Sequence, residues 1–73
     1  MAHIFTDHAR QRMRQRGITE DQVKETIGQP QEKWRDKEIR ERRIHVRTYG
    51  QRRLKVVWIP ENRNARIVTA VWL

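Results

Sequence analysis

Between Gly17 and Pro30 the chain is punctuated so densely that few local structures fit: one helix must stop there, and another must start and stop. Gly17 supplies the left-handed end of a helix that Thr6 or Asp7 can cap and that runs to about Arg16. Thr19-Glu20-Asp21-Gln22 is a capping box, with Ile18 and Val23 at the flanking staple positions, so a second helix begins at Glu20. It presents Val23 and Ile27 on one face and ends at Gly28, and Pro30 prevents its continuation.

From Gln31 onward the apolar pattern changes to period two. Trp34 falls in a short strand and Asp36-Lys37 in a turn. Residues 38–48 read as a long polar strand with Ile44 and Val46 on one face, followed by a turn at Tyr49-Gly50-Gln51. Leu54–Ile59 reads as an apolar strand, Pro60–Asn64 as a loop and Ala65–Leu73 as a final strand. Met1–Ile4 is either a loose start or a short edge strand. Helices segregated from strands predict an α+β fold, an N-terminal helical hairpin packed on a three- to four-stranded antiparallel sheet. With 73 residues this is a single domain, residues 1–73, with a thin core.

The chain has no cysteine, which excludes disulfides and thiolate metal sites. It has no apolar run long enough for a signal peptide or a membrane span, so the expectation is a cytoplasmic protein without cofactors. Seventeen Lys and Arg against nine Asp and Glu give a net charge of +8, and nearly all the cations are arginine. The arginine fork bonds phosphate oxygens in pairs and stacks on bases, which points to a polyanion, RNA before DNA. The competing reading is an ordinary solvated surface, or a counter-charge for an acidic protein.

The strand pattern suggests two sheet faces. Ile44 and Val46 would join Leu54, Val56, Trp58, Ile67 and Val71 beneath Ala9, Met13, Val23 and Ile27 of the helices. Arg43, His45, Arg47 and Lys55 would share the opposite face with Val57, Val68 and Trp72. Such a mixed surface suits phosphates with stacked bases, or a partner protein.

The residues His8, Ala9, Arg12, Met13, Arg16, Gly17, Ile18 and Thr19 match the opening HA-x-x-R-M-x-x-R-G-[IV]-[ST] of a family of small uncharacterised bacterial domains. The segment Arg66–Ala70 resembles that family's last strand and the R-I-I-S-A strand of BrnT-type toxins. Both groups are similar to the RelE and ParE toxins, whose fold is a helical hairpin on a small antiparallel sheet. The resemblance implies RNA cleavage without metal, or action on gyrase, together with an acidic or DNA-binding antitoxin partner. Functional residues that RelE-like nucleases carry in or beyond the last strand have no counterpart past Leu73.

His8, Arg12 and Arg16 recur at i, i+4 and i+8 as one stripe on the first helix, and Arg43, His45 and Arg47 alternate on one strand face. Metal-free RNA cleavage needs a base, an acid and cations around the phosphorane. The candidate catalytic set is therefore His8, Arg12, His45, Arg47 and Lys55, and the candidate RNA-binding set is Arg16, Arg43, Tyr49, Arg53 and Thr69. Against this, His8 can be a half-buried bridging residue, and the charges of the strand can serve only to keep an edge from aggregating. Three scattered histidines without ligand spacing argue against a metal. The tryptophans Trp34, Trp58 and Trp72 read first as core or interface, and the apolar end Val71-Trp72-Leu73 suggests a covered edge in a homodimer or antitoxin complex.

Overall fold

The structure, a computed structural model, describes residues 1–73. Its elements are β1 (His3–Phe5), α1 (Asp7–Arg16), α2 (Glu20–Gly28), β2 (Glu32–Arg35), β3 (Arg43–Tyr49), β4 (Arg52–Glu61) and β5 (Asn64–Trp72). The five strands form one sheet in the order β1-β5-β4-β3-β2, with β1 parallel to β5 and every other pair antiparallel. The fold is α+β, and the residues before α1 take the second of their two readings, an edge strand. It runs parallel to β5, so the sheet is five-stranded and mixed rather than three- to four-stranded and antiparallel, and the helices form no close hairpin. Instead α1 lies along β5 and α2 lies on β3 and β4, side by side on one sheet face.

The helix ends follow local chemistry. Thr6 accepts from the Ala9 amide, and Gly17 closes α1 at φ 66° while its amide returns to Arg14 and Met13 carbonyls. Thr19 and Gln22 form both arms of the capping box on α2. The β4–β5 connection is shorter than expected. Pro60 and Glu61 continue β4, and only Asn62 and Arg63 turn, both with positive φ (49° and 67°). Two such residues make the hairpin turn whose twist matches antiparallel strands. Pro60 is tolerated because the pairing of β3 with β4 ends at Arg43 opposite Trp58, so its missing N–H faces no neighbour there. The polar segment before β3 is likewise shorter as a strand: residues 36–42 form a loop, in which Asp36 Oδ1 accepts from the amides of Glu38 (2.7 Å) and Ile39 (3.0 Å).

The register of β3 against β4 overturns the expected faces. His45 pairs with Val56 and Arg47 with Leu54, whereas Ile44 pairs with Val57 and Val46 with Lys55. Directly paired residues share a face. Leu54, Val56, Trp58, Ala65, Ile67 and Ala70 meet Ala9, Met13, Ile18, Val23 and Ile27 in the main core. Ile44, Val46 and Val57 form a separate cluster with Val68 on the other side. Hence Ile44 and Val46 are not beneath the helices, and Lys55 does not share a face with Arg43, His45 and Arg47. An offset of one residue in pairing reverses every side chain of a strand. A bulge where Val57 and Trp58 face Thr69 and Ile67 resets the alternation of β5.

Two substitutions check this architecture by urea denaturation. Thr19→Ala, which removes the capping oxygen, should cost about 1 kcal/mol. Leu54→Ala, at a fully buried position in a domain with few stability reserves, should cost about 2–5 kcal/mol and leave much of the chain unfolded at 37 °C.

Candidate functional site

Alternate residues of β3 point to α2 and meet its backbone carbonyls. His45 Nδ1 lies 3.0 Å from the Ile27 carbonyl, Arg47 donates to the Gln29 carbonyl at 2.8 Å, and Tyr49 donates to the Gln22 carbonyl at 3.0 Å. The last carbonyls of a helix lack intrahelical donors and carry partial negative charge, so His45 at Ile27 and Arg47 at Gln29 satisfy that end, while Tyr49 adds a bond in the first turn. Arg47 also lies 3.4 Å from Glu25 and 5.8 Å over the Tyr49 ring. Tyr49 contacts the Thr26 hydroxyl and packs edge-on to Trp72. Arg47 and Tyr49 are thus engaged in holding α2 to the sheet.

The stripe on α1 does not stay on one side of the helix. Each four-residue step carries a side chain about 40° further round. His8 and Arg12 are exposed on the outer surface, but Arg16 has rotated onto β5. Its guanidinium donates to the Ala70 carbonyl at 2.8 Å and lies 3.3 Å from Thr69 Oγ1, and its own carbonyl accepts from Trp72 Nε1 at 2.8 Å. Pairing with β1 ends at Ile67, so Arg16 covers the edge of β5 where β1 stops. Arg16 and Thr69 are parts of that closure. Arg53 and Lys55 project to the face away from the helices, and Arg53 is ion-paired with Glu32. His8 and Arg12, on α1 over β5, and Lys55, on the other face, therefore share no site with His45.

Two of the expected residues, His45 and Arg43, do line one concavity, of about 460 Å³, together with Lys33, Trp34, Arg35 and Trp58. Its construction is a matter of register. Lys33 pairs with His45 and Arg35 with Arg43, so all four project to the helix side of β2 and β3, beside the C-terminal end of α2 that His45 meets at Ile27. Like charges placed opposite each other across two strands are destabilising. Arg35 against Arg43 is such a pair, and no carboxylate lines the cleft to offset it. The arginine pair continues into a second concavity with Arg40, Glu41 and Pro60. Trp34 is 46% exposed, while Trp58 is buried with its Nε1–H lacking an acceptor. Such a donor costs about 1–3 kcal/mol unless a water or ligand reaches it.

His45 is 8% exposed and stacks edge-on to Trp58 at 5.4 Å. Burial holds its pKa below the ordinary 6.5, the Ile27 carbonyl opposes that effect, and Lys33 and Arg43 add repulsion in the same direction as burial. A carbonyl accepts only, so Nδ1 carries the proton, and Nε2 is the lone-pair nitrogen of a neutral ring. Lys33 and Arg35 carry no site signal in the sequence because the signal for them is relational. Lys33 and Arg35 alternate, but only the pairing of β2 with β3 sets them beside His45 and Arg43.

A two-layer α+β domain with a carboxylate-free cationic cleft at one end of its sheet is the class of protein so defined. The chain belongs to the family described as Domain of unknown function (DUF4258), whose profile matches residues 5–72. No curated protein and no solved structure matches the chain. No helix is long and apolar enough to cross a membrane.

The buried imidazole makes stability depend on pH. Above pH 6.5 both folded and unfolded chains hold His45 neutral. Below it the unfolded chain takes up a proton that the folded chain resists, so stability is lost as pH falls from 6.5 through the lowered folded pKa. His3, also lowered by burial first and then by Lys24, acts in the same direction. In His45→Asn the amide can replace the Nδ1 donor without titrating. Urea midpoints measured between about pH 7.5 and 5 should fall less steeply for this variant than for the parent, with the remaining slope due to His3.

Proposed function

We propose that this domain binds RNA as a single strand through the cleft between β2 and β3. The observation that carries the reading is the unopposed arginine pair, Arg35 across from Arg43, flanked by Lys33 and His45 in a cleft free of carboxylates. Retaining a like-charge pair makes physical sense where an external anion completes it. The arginine planes offer flat surfaces for a base, and a concavity of this size suits one unstacked nucleotide better than a duplex with its bases stacked inside. RNA is the partner chosen over DNA because single strands with splayed bases are its common form.

Fluorescence anisotropy with a labelled single-stranded oligoribonucleotide tests this reading. Affinity should fall steeply with salt, and Arg43→Ala or Lys33→Ala should each weaken binding several-fold and reduce the salt slope by about one. Arg12→Ala, on the outer surface of α1, should have a much smaller effect. Equal losses from Arg12→Ala and Arg43→Ala would move the binding surface elsewhere, and tighter binding to duplex DNA would reject the single-strand claim.

A second reading, metal-independent cleavage by a toxin-like relative, is favoured by one specific feature: the neutral imidazole of His45 stands among cations. Its Nε2 can take the proton of the RNA 2′-hydroxyl while Arg43 and Arg35 balance charge on the phosphorane. The Lys33 ammonium is placed to protonate the leaving 5′-oxygen, giving a 2′,3′-cyclic phosphate and a 5′-hydroxyl. The helix pair on one face of a largely antiparallel sheet and the opening His8–Thr19 motif support the likeness to RelE- and BrnT-type toxins, and with it an acidic or DNA-binding antitoxin partner. Incubation with RNA in EDTA should yield cyclic-phosphate ends that His45→Asn abolishes. Intact RNA, free or ribosome-bound, would remove cleavage and leave binding standing.

A further inference from the structure

We propose that the sheet face turned away from the helices is a self-association surface, on which a second copy of this chain sits face to face. Both helices pack on the same side, so no helix covers the other. At its centre Ile44, Val46 and Val57 form a cluster that is itself buried. The accessible apolar surface around it is the half-buried Val68 and Ile59 with Trp34, which pairs with Ile44 and is 46% exposed. Val71, paired with Lys55, extends this surface along β5, and Ile4, 37% exposed, lies at its β1 margin. An antiparallel sheet that faces water shows polar residues on its outer side, not a run of aliphatic ones.

The charges of this face select the occupant. The chain carries +8 in total, yet here three cations, Arg53, Lys55 and Arg66, stand against two carboxylates, Glu32 and Glu61. Four of these five are already in ion pairs, Arg53 with Glu32 and Arg66 with Glu61 at 3.4 Å. An acidic partner would find few free cations on this side; its complement is the cleft and loop region of β2 and β3. A nearly neutral apolar patch rimmed by both signs is instead complementary to itself about a two-fold axis. Lys55, half-buried, can lay its stem along the apolar surface and carry its ammonium to the rim. Five strands about 4.8 Å apart, the longest nine and ten residues, give a face of roughly 600 Å². That is near the roughly 800 Å² per partner of a stable interface.

The cationic cleft opens on the helix side, so pairing through the other face leaves both clefts of a dimer accessible, and the two surfaces can be tested independently. Sedimentation equilibrium of the full chain, over about 1–200 µM, should give twice the 9.0 kDa chain mass at the upper concentrations. Association should strengthen as salt rises, because screening relieves repulsion between two cationic copies, the opposite of the RNA dependence. Val71→Lys should weaken it at least about tenfold, and Arg43→Ala should leave it unchanged. In the unmodified protein, acetylation of Lys55 should slow several-fold on association while that of Lys24, exposed on α2 on the helix side, does not. A mass of 9.0 kDa throughout overturns the proposal. So does a dimer in which Lys55 reacts as fast as in the monomer, or one that Arg43→Ala dissociates.

Discussion

The pairing of His45 with Val56 and of Arg47 with Leu54 sets the rest of the molecule. It turns the polar side of β3 toward α2, where His45 and Arg47 meet carbonyls at the C-terminal end that the helix cannot satisfy itself and Tyr49 adds a bond to Gln22 in the first turn. It also turns Ile44 and Val46 outward, onto a face that no helix covers. The same arrangement carries a cost, a titratable ring within the core, offset by the Ile27 carbonyl and the edge of Trp58. Through the pairing of β2 with β3 it then places Lys33 and Arg35 beside His45 and Arg43, so the helix anchor and the cleft are two ends of one strand face.

The sheet edges are managed by different means. On the β5 side, three residues of β1 cover the first part of the strand, and the Arg16 guanidinium takes over at Ala70. On the other side β2 is short and exposed throughout, with charged Glu32, Lys33 and Arg35 around Trp34. Short, charged edge strands resist unwanted strand addition, so the cations of β2 serve edge protection as well as the cleft. Arginine in this chain is therefore spent on distinct tasks: Arg16 on backbone closure, Arg47 on anchoring a helix, Arg53 and Arg66 on surface ion pairs. Arg35 and Arg43 face each other in the cleft without an ion-pair partner.

Charge and apolar surface are segregated by layer. The side bearing the helices holds the cleft, while the opposite side is aliphatic with largely paired charges. That division lets a very small domain present two surfaces of different chemistry without either obstructing the other. It also explains how a chain of +8 can keep a nearly neutral patch.

Much of the local structure is legible in the amino-acid order, because the signals are themselves local. Gly17 at positive φ, the Thr19–Gln22 capping box and the end of α2 at Gly28 follow from interactions within a few residues. The strands of the C-terminal half follow from their period-two pattern, although the β4–β5 turn is tighter than Pro60 suggests and the first three-residue strand is too short to carry a pattern. What the order alone does not contain is which strand face turns inward. Both faces of β4 and β5 are apolar, so hydrophobicity cannot choose, and the choice falls to the α2 carbonyls that His45, Arg47 and Tyr49 reach. For the same reason the residue types of the cationic cleft are visible in the sequence, but the grouping is not. Contacts between residues far apart in the chain remove Arg16, Arg47 and Thr69 from that site and bring Lys33, Arg35 and Trp58 into it.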